Sequence, residues 1–161
     1  MHSSITFLLA DLHDERQSGD VVALLDHYAA HPMGQGRRLS PDVKARLLPG
    51  LRSRPNALAV LAYLDGSPVG LALCFEGFSS FQAMPLVNIH DFVVHESVRG
   101  QGVGRALMQH VFALARERGC CRVTLEVQVD NRPAMRLYES CGFEPGDPES
   151  TAHWFWKKEL G

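Results

Sequence analysis

The chain has 161 residues, 45% hydrophobic and 21% charged, enough for one domain that buries about two-thirds of its unfolded surface. A formal net charge of −2 with no run of like charges argues against nucleic acid or a membrane surface as the default partner. No apolar stretch reaches ~18 residues and no basic-then-apolar leader opens the sequence, so neither a membrane span nor a signal peptide is expected.

Ile5 to Leu9 reads as a first strand. Val21, Leu24, Leu25 and Tyr28 then fall on one face of a helix that Pro32 helps to stop. Ser40-Pro41 offers an N-cap and a first-turn proline to a second helix, with Val43, Leu47 and Leu51 on its buried side. Ala57 to Leu64 and Val69 to Phe75 flank the turn Asp65-Gly66-Ser67-Pro68, which predicts a hairpin, and Val87 to Val94 follows as the next strand. Beyond a glycine-rich loop, a helix buries Val103, Leu107, Val111 and Leu114 and ends at Gly119. A strand from Arg122 to Val129 is expected to turn Val123, Leu125, Val127 and Val129 inward and Thr124, Glu126 and Gln128 away. Asn131 and Pro133 open a short helix that carries Ala134, Leu137, Tyr138 and Cys141 on one stripe, and a final strand is expected from about His153 to Lys158. This order predicts an α/β domain with a mixed sheet, one domain over residues 1–161.

The loop itself, Arg99-Gly100-Gln101-Gly102-Val103-Gly104, is the most informative stretch. Its glycines free the backbone for unusual dihedrals and close approach of an anion, and the helix behind it offers unpaired N–H groups. Arg99 adds a positive charge. A Walker loop would need Lys-Ser/Thr after the last glycine, where Arg105-Ala106 stands. A Rossmann fingerprint would need a glycine where Arg105 stands; Glu126 lies at a suitable distance for a ribose, but too little chain follows for the large parallel sheet.

The loop resembles the pyrophosphate loop of the GNAT superfamily of acyl-CoA N-acyltransferases. Asn131, Ala134, Leu137-Tyr138 and Gly142-Phe143, in this order, resemble the second signature of the same superfamily. The likeness covers roughly residues 57 to 160. It implies a mixed, mostly antiparallel central sheet flanked by helices, whose central pair of strands, ending near Val94 and Val129, splays apart to admit the pantetheine arm of acetyl-CoA. By resemblance, main-chain groups of Phe92, Val93 and Val94 would pair with that arm. The stretch Arg99, Gly100, Gln101, Gly102, Val103, Gly104 and Arg105 would hold the pyrophosphate, with Asn131 and Ala134 also at the cofactor. Position alone makes Asn131 a helix cap, a role compatible with ligand contact.

Tyr138 is the candidate acid, since a neutral phenol can protonate a departing CoA thiolate; spacing alone would make it a core residue. The attacking amine is mostly protonated in water, so a base or water relay is needed. His90-Asp91-Phe92-Val93-Val94 and the preceding Gly77-Phe78-Ser79-Ser80-Phe81 resemble the diamine and polyamine acetyltransferase branch, with His90 where that branch carries a glutamate. Histidine can take a proton at neutral pH, and a merely hydrogen-bonded strand histidine is the other reading. Simple pleating turns Asp91 to the opposite side unless a bulge intervenes.

No metal is expected: His27 and His31 share helical spacing beside Asp26, but no third ligand is evident and no His-Glu-x-x-His occurs. Arg37-Arg38 and Lys157-Lys158 read as solvated. Phe78, Phe81, Trp154 and Trp156 fit either an acceptor wall or a homodimer contact. The cysteines, Cys74, Cys120, Cys121 and Cys141, contain no Cys-x-x-Cys pair, and a reducing cytoplasm is the simplest setting. Together these readings predict an N-acetyltransferase that moves the acetyl group of acetyl-CoA to a primary amine of a small molecule by direct attack. A protein N-alpha or lysine acetyltransferase and a non-catalytic acyl-CoA sensor are the alternatives.

Overall fold

Side chains that alternate along the strands give the sheet two apolar faces, and helices cover both. The structure, a computed structural model, describes residues 4–145. Its elements are β1 (Ile5–Leu9), α1 (Glu15–Ala30), α2 (Pro41–Arg52), β2 (Ala57–Leu64), β3 (Ser67–Ser79) and β4 (Met84–Val94), then a 3-10 turn at Glu96–Val98, α3 (Val103–Glu117), β5 (Val123–Leu125) and α4 (Arg132–Ser140). The strands form one sheet in chain order; β1 to β4 are antiparallel, and β5 joins β4 in parallel because α3 carries the chain back along the sheet. This is the mixed, mostly antiparallel sheet that the sequence predicts. The strand expected from His153 to Lys158 lies outside the described residues.

On one face Leu58, Val60 and Ala62 of β2 and Ala72 and Cys74 of β3 meet Val103, Leu107, Met108 and Val111 of α3. On the other, Ala59, Leu61, Leu71 and Leu73 meet Val21, Leu24 and Leu25 of α1 and Leu51 of α2. β4 breaks this regular alternation. Leu73 pairs with Asp91 and Cys74 with Ile89, so His90 is an extra residue opposite no partner. Before it, Val87 and Ile89 face α3; after it, Val93 faces α1. A bulge of this kind reverses the facing of every later residue in the strand.

Several expectations are corrected by the structure. Val43 is 38% exposed, because only the Leu47 and Leu51 side of α2 reaches the sheet. β5 stops at Leu125 rather than continuing to Val129, which is 81% exposed. Its ladder with β4 ends at Ile89–Leu125, and among the described residues no other strand pairs with it. Arg38 is not merely solvated: its Nη1 donates to Asp26 Oδ2 at 2.7 Å.

Asp26, 5% exposed, also accepts from Leu39 N–H at 2.9 Å and pairs with Lys44 Nζ at 3.0 Å. Burial pushes this carboxyl upward, but the hydrogen bonds from Lys44, Arg38 and Leu39 and the Lys44 charge outweigh it and hold it below the ordinary carboxylate range. The group therefore stabilises the fold above the pKa of the unfolded chain, and that contribution is lost as pH falls through the lower folded value. Asp26→Asn should cost about 2 kcal/mol at neutral pH. Urea denaturation of both chains checks this, and the difference should shrink when the titration is repeated below the folded value.

Candidate active site

The parallel pairing of β4 with β5 covers only Val87–Val123, Asn88–Thr124 and Ile89–Leu125. Asn88 Nδ2 donates to Thr124 Oγ1 at 3.0 Å and fastens the two strands at the base of the gap. Past Ile89, β4 runs on to Val94 with no strand on that edge among the described residues. The splayed pair expected from the sequence is therefore present, but it opens at Leu125. A cavity of about 690 Å³ occupies the opening.

The cavity wall brings together His90, Phe92, Val93, Val94, Arg99, Gly100, Gly102, Val103, Gly104, Arg105, Asn131, Ala134 and Tyr138. Of the residues singled out in the sequence, Gln101 is absent from the wall, and its amide donates to Ser97 O at 3.2 Å. Phe78 and Phe81 are also absent; both are exposed, on the hairpin between β3 and β4.

Gly100 and Gly102 hold φ of 75° and 81°, the left-handed region that favours glycine. No side chain caps α3, so the N–H groups of its first turn remain open toward the cavity. With the helix dipole behind them, they suit an anion. Gly104 serves differently: a Cβ there would lie 3.1 Å from Leu137 Cδ2 and 3.4 Å from Val94 Cγ2, so its bareness lets α3 sit against α4 and β4. Arg99 Nε donates to Val94 O at 3.1 Å, and Arg105 Nη1 donates to Ser140 O at 3.0 Å, which ties the loop to β4 and α4.

Asn131 caps α4, its Oδ1 accepting from Ala134 N–H at 3.3 Å. The cap aims α4 so that Tyr138 meets the edge of Phe92, with ring centres 6.0 Å apart. Among the described residues the Tyr138 hydroxyl makes no hydrogen bond. Burial, with a smaller contribution from Tyr28, pushes this phenol up to about 12, so it keeps its proton throughout the neutral range.

The bulge places His90 and Asp91 side by side instead of on opposite faces. His90 meets the edge of the Phe75 ring, with centres 5.6 Å apart. Burial holds the Asp91 carboxyl above its ordinary range, the charge of His90 offsetting only part of the rise. The same carboxylate adds to the burial that raises Tyr28 and Cys74, the latter to about 12, so Cys74 is an inert thiol.

The C-terminal end of α1 is the part of the site that sequence reasoning misses. Tyr28, His27, His31 and Met33 all reach the cavity wall. Helical spacing places Tyr28 on the buried stripe of α1 and says no more. Its position at the end of that stripe, beside two histidines, is the available signal. Tyr28 OH and Gln128 Nε2 both donate to Met33 O, at 3.3 Å and 3.2 Å, joining the α1–α2 and β5–α4 connections beside the cavity.

Residues 21–143 match the acetyltransferase (GNAT) family. The chain belongs to that family. A protein of Bacillus subtilis named as a candidate ribosomal-protein-alanine N-acetyltransferase is 36% identical over 107 residues, covering 66% of this chain and 67% of that one. An aminoglycoside N(6')-acetyltransferase of Stenotrophomonas maltophilia is 28% identical over 106 residues, 64% and 69% of the two chains. The crystal structure of a ribosomal-protein-alanine N-acetyltransferase from Brucella melitensis shares the fold, with a TM-score of 0.73 and 19% identity over 96% of this chain and 100% of that one. Other curated relatives are longer, and the matching stretch spans about a third of them, 36% of one and 30% of another. No helix among the described residues is long and apolar enough to cross a membrane.

GNAT enzymes use acetyl-CoA, whose pyrophosphate suits the open N–H groups of the glycine loop. In Gly102→Asp a side chain must adopt left-handed backbone and brings a negative charge beside them. Acetyl-CoA affinity by calorimetry should fall ~10–100-fold in a chain that circular dichroism shows to be folded, the cost of one or two charge-assisted hydrogen bonds. Equal affinity would place the anion elsewhere.

Proposed function

We propose that this chain transfers the acetyl group of acetyl-CoA to a primary amine of a small molecule by direct attack in a ternary complex. The observation that carries this reading is one continuous cavity running from the open N–H groups of the glycine loop, along the edge of β4 that no described strand pairs with, to His90 and Tyr138. The pyrophosphate sits at Arg99 to Arg105, and the pantetheine arm lies along the edge of β4 beside Phe92 to Val94. Tyr138, on α4, stands at the thioester.

The amine nitrogen attacks the thioester carbonyl carbon and the carbon–sulfur bond breaks. The amine's surplus proton goes to His90, and the neighbouring Asp91 stabilises the imidazolium that forms. Tyr138 donates a hydrogen bond to the departing sulfur. At about 12 the phenol is a weaker acid than a thiol of ~8.5, so it stabilises the thiolate and solvent completes the protonation. A covalent route through Cys141 is disfavoured because no cysteine among the described residues lines the cavity.

The bridge of Tyr28 and Gln128 to the Met33 carbonyl supports a compact acceptor, because it ties together the two connections that an extended peptide would have to part. The relative named for aminoglycoside acetylation agrees with that choice. The similarity to the Bacillus subtilis protein favours a second reading, acetylation of a protein α-amine. A panel of diamines, aminoglycosides and alanine-terminated peptides, scored by thiol release from acetyl-CoA, separates the two. Turnover confined to peptides would sink the small-molecule reading, and binding of acetyl-CoA without any turnover would point to a sensor.

Tyr138→Phe keeps the ring against Phe92 and removes only the hydroxyl. Turnover should drop ~10²-fold with acetyl-CoA affinity unchanged. His90→Gln can hydrogen-bond but cannot take a proton near neutrality, so the rise of kcat/KM with pH should flatten. A pH profile superimposable on that of the parent would make His90 structural.

A further inference from the structure

We propose that His27, His95 and Glu96 form a binding site for one transition-metal ion, Zn²⁺ by preference, at the rim of the cavity. This goes beyond the acetyl-transfer reading and does not depend on it. His27 Nε2 donates to Glu96 Oε2 at 2.8 Å across 69 residues of sequence. The rings of His27 and His95 stack with centres 4.6 Å apart. One ligand atom from each residue lies within 4.8 Å of the other two. Tetrahedral zinc with bonds of ~2.0–2.2 Å needs its ligand atoms about 3.3 Å apart. The His27–Glu96 pair is already closer than that; to complete the set the His95 ring must swing out of its stack on His27, and the His27 proton must move from Nε2 to Nδ1.

The chemistry of the donors selects the ion. Two imidazoles and a carboxylate are the ligands of zinc sites that keep a fourth position open, whereas Mg²⁺ and Ca²⁺ prefer all-oxygen shells. The His95 ring also has a partner that can orient it for a metal, since its Nδ1 lies 2.8 Å from Ser97 Oγ. With the proton on Nδ1 donated to that oxygen, Nε2 is free for the metal. The cost is the bond that Ser97 N–H now makes to Nδ1 at 3.2 Å. Glu96 lies on an exposed turn, with its carboxylate open to solvent, and can serve as an ionised ligand near neutral pH. Side-chain exposures of 31% for His27 and 59% for Glu96 leave the site open to solvent. An ion there would bridge α1 to the turn that leads into the glycine loop.

The test is calorimetric titration of the intact chain with ZnCl₂ in a non-coordinating buffer at neutral pH. The parent should bind one ion at this site. His27→Gln and Glu96→Gln should each weaken it by ~10–100-fold, while His13→Gln, remote from the cluster, should not. Zn²⁺ should raise the Tm of the parent and not of the two ligand variants, and Mg²⁺ should raise neither. Glu96 lies exposed on a turn, so Glu96→Gln remains informative even if His27→Gln disturbs α1. Co²⁺ in place of Zn²⁺ should give a spectrum without a thiolate charge-transfer band. Absence of Zn²⁺ binding, undiminished affinity in Glu96→Gln, or a thiolate band placing the ion on Cys120, Cys121 or Cys141 would each overturn the assignment.

Discussion

The extra residue in β4 is the constraint on which the site depends. Without the bulge at His90, Asp91 and Val93 would continue the row of Val87 and Ile89 and face the α3 core. An ionised carboxylate there would need a partner that the apolar core does not supply. With the bulge, Val93 completes the core beneath α1, and Asp91 comes to lie beside His90 and Tyr28. Phe92 turns toward Tyr138 on the other side. One inserted residue thus supplies both the paired titratable groups and the aromatic wall.

The second determinant is where hydrogen bonding stops. β4 and β5 are fastened at Asn88–Thr124 and part after Ile89–Leu125. Among the described residues no strand pairs with that edge of β4 beyond Ile89, and an unpaired interior edge is costly unless something else satisfies it. An extended, amide-bearing ligand can do so, and the cavity beside Phe92 to Val94 has room for one. The open N–H groups at the start of α3 face the same space, so one extended molecule could meet the backbone demands of both.

The last turns of α1 show how much a helix can place with adjacent residues. At about 100° per residue, neighbours in sequence point to different surroundings. Asp26 turns inward to Arg38, Lys44 and the backbone of Leu39, which secures the connection to α2. His27 reaches the 3-10 turn, and Tyr28 reaches the cavity and the Met33 carbonyl. The structural anchor and the cavity wall are thus set by three consecutive side chains.

Local chemistry was legible in the sequence. Apolar runs, one of them bounded by turn residues, located β1 and β2 to the residue, and Ser40 and Asn131 stand at the caps where their side chains predict them. The glycine loop was visible as an anion-binding pattern, whereas Tyr138 was singled out by the resemblance, its spacing alone reading as core. Facts that depend on a neighbouring chain segment were not legible. Alternation predicted β5 out to Val129, but among the described residues its pairing ends at Leu125, where β4 and β5 part. The bulge could be named from sequence only as a condition, because register belongs to two strands at once. Tyr28 and the His27–His95–Glu96 cluster depend on α1 crossing β4, and no spacing within α1 encodes where a partner from residues 95–96 will arrive. The sequence by itself determined the order and type of the described elements and put forward candidate residues for binding an anion and moving a proton. Tertiary structure decided which of those residues meet, because contact between segments far apart in the chain is set by packing and strand register, not by local preference.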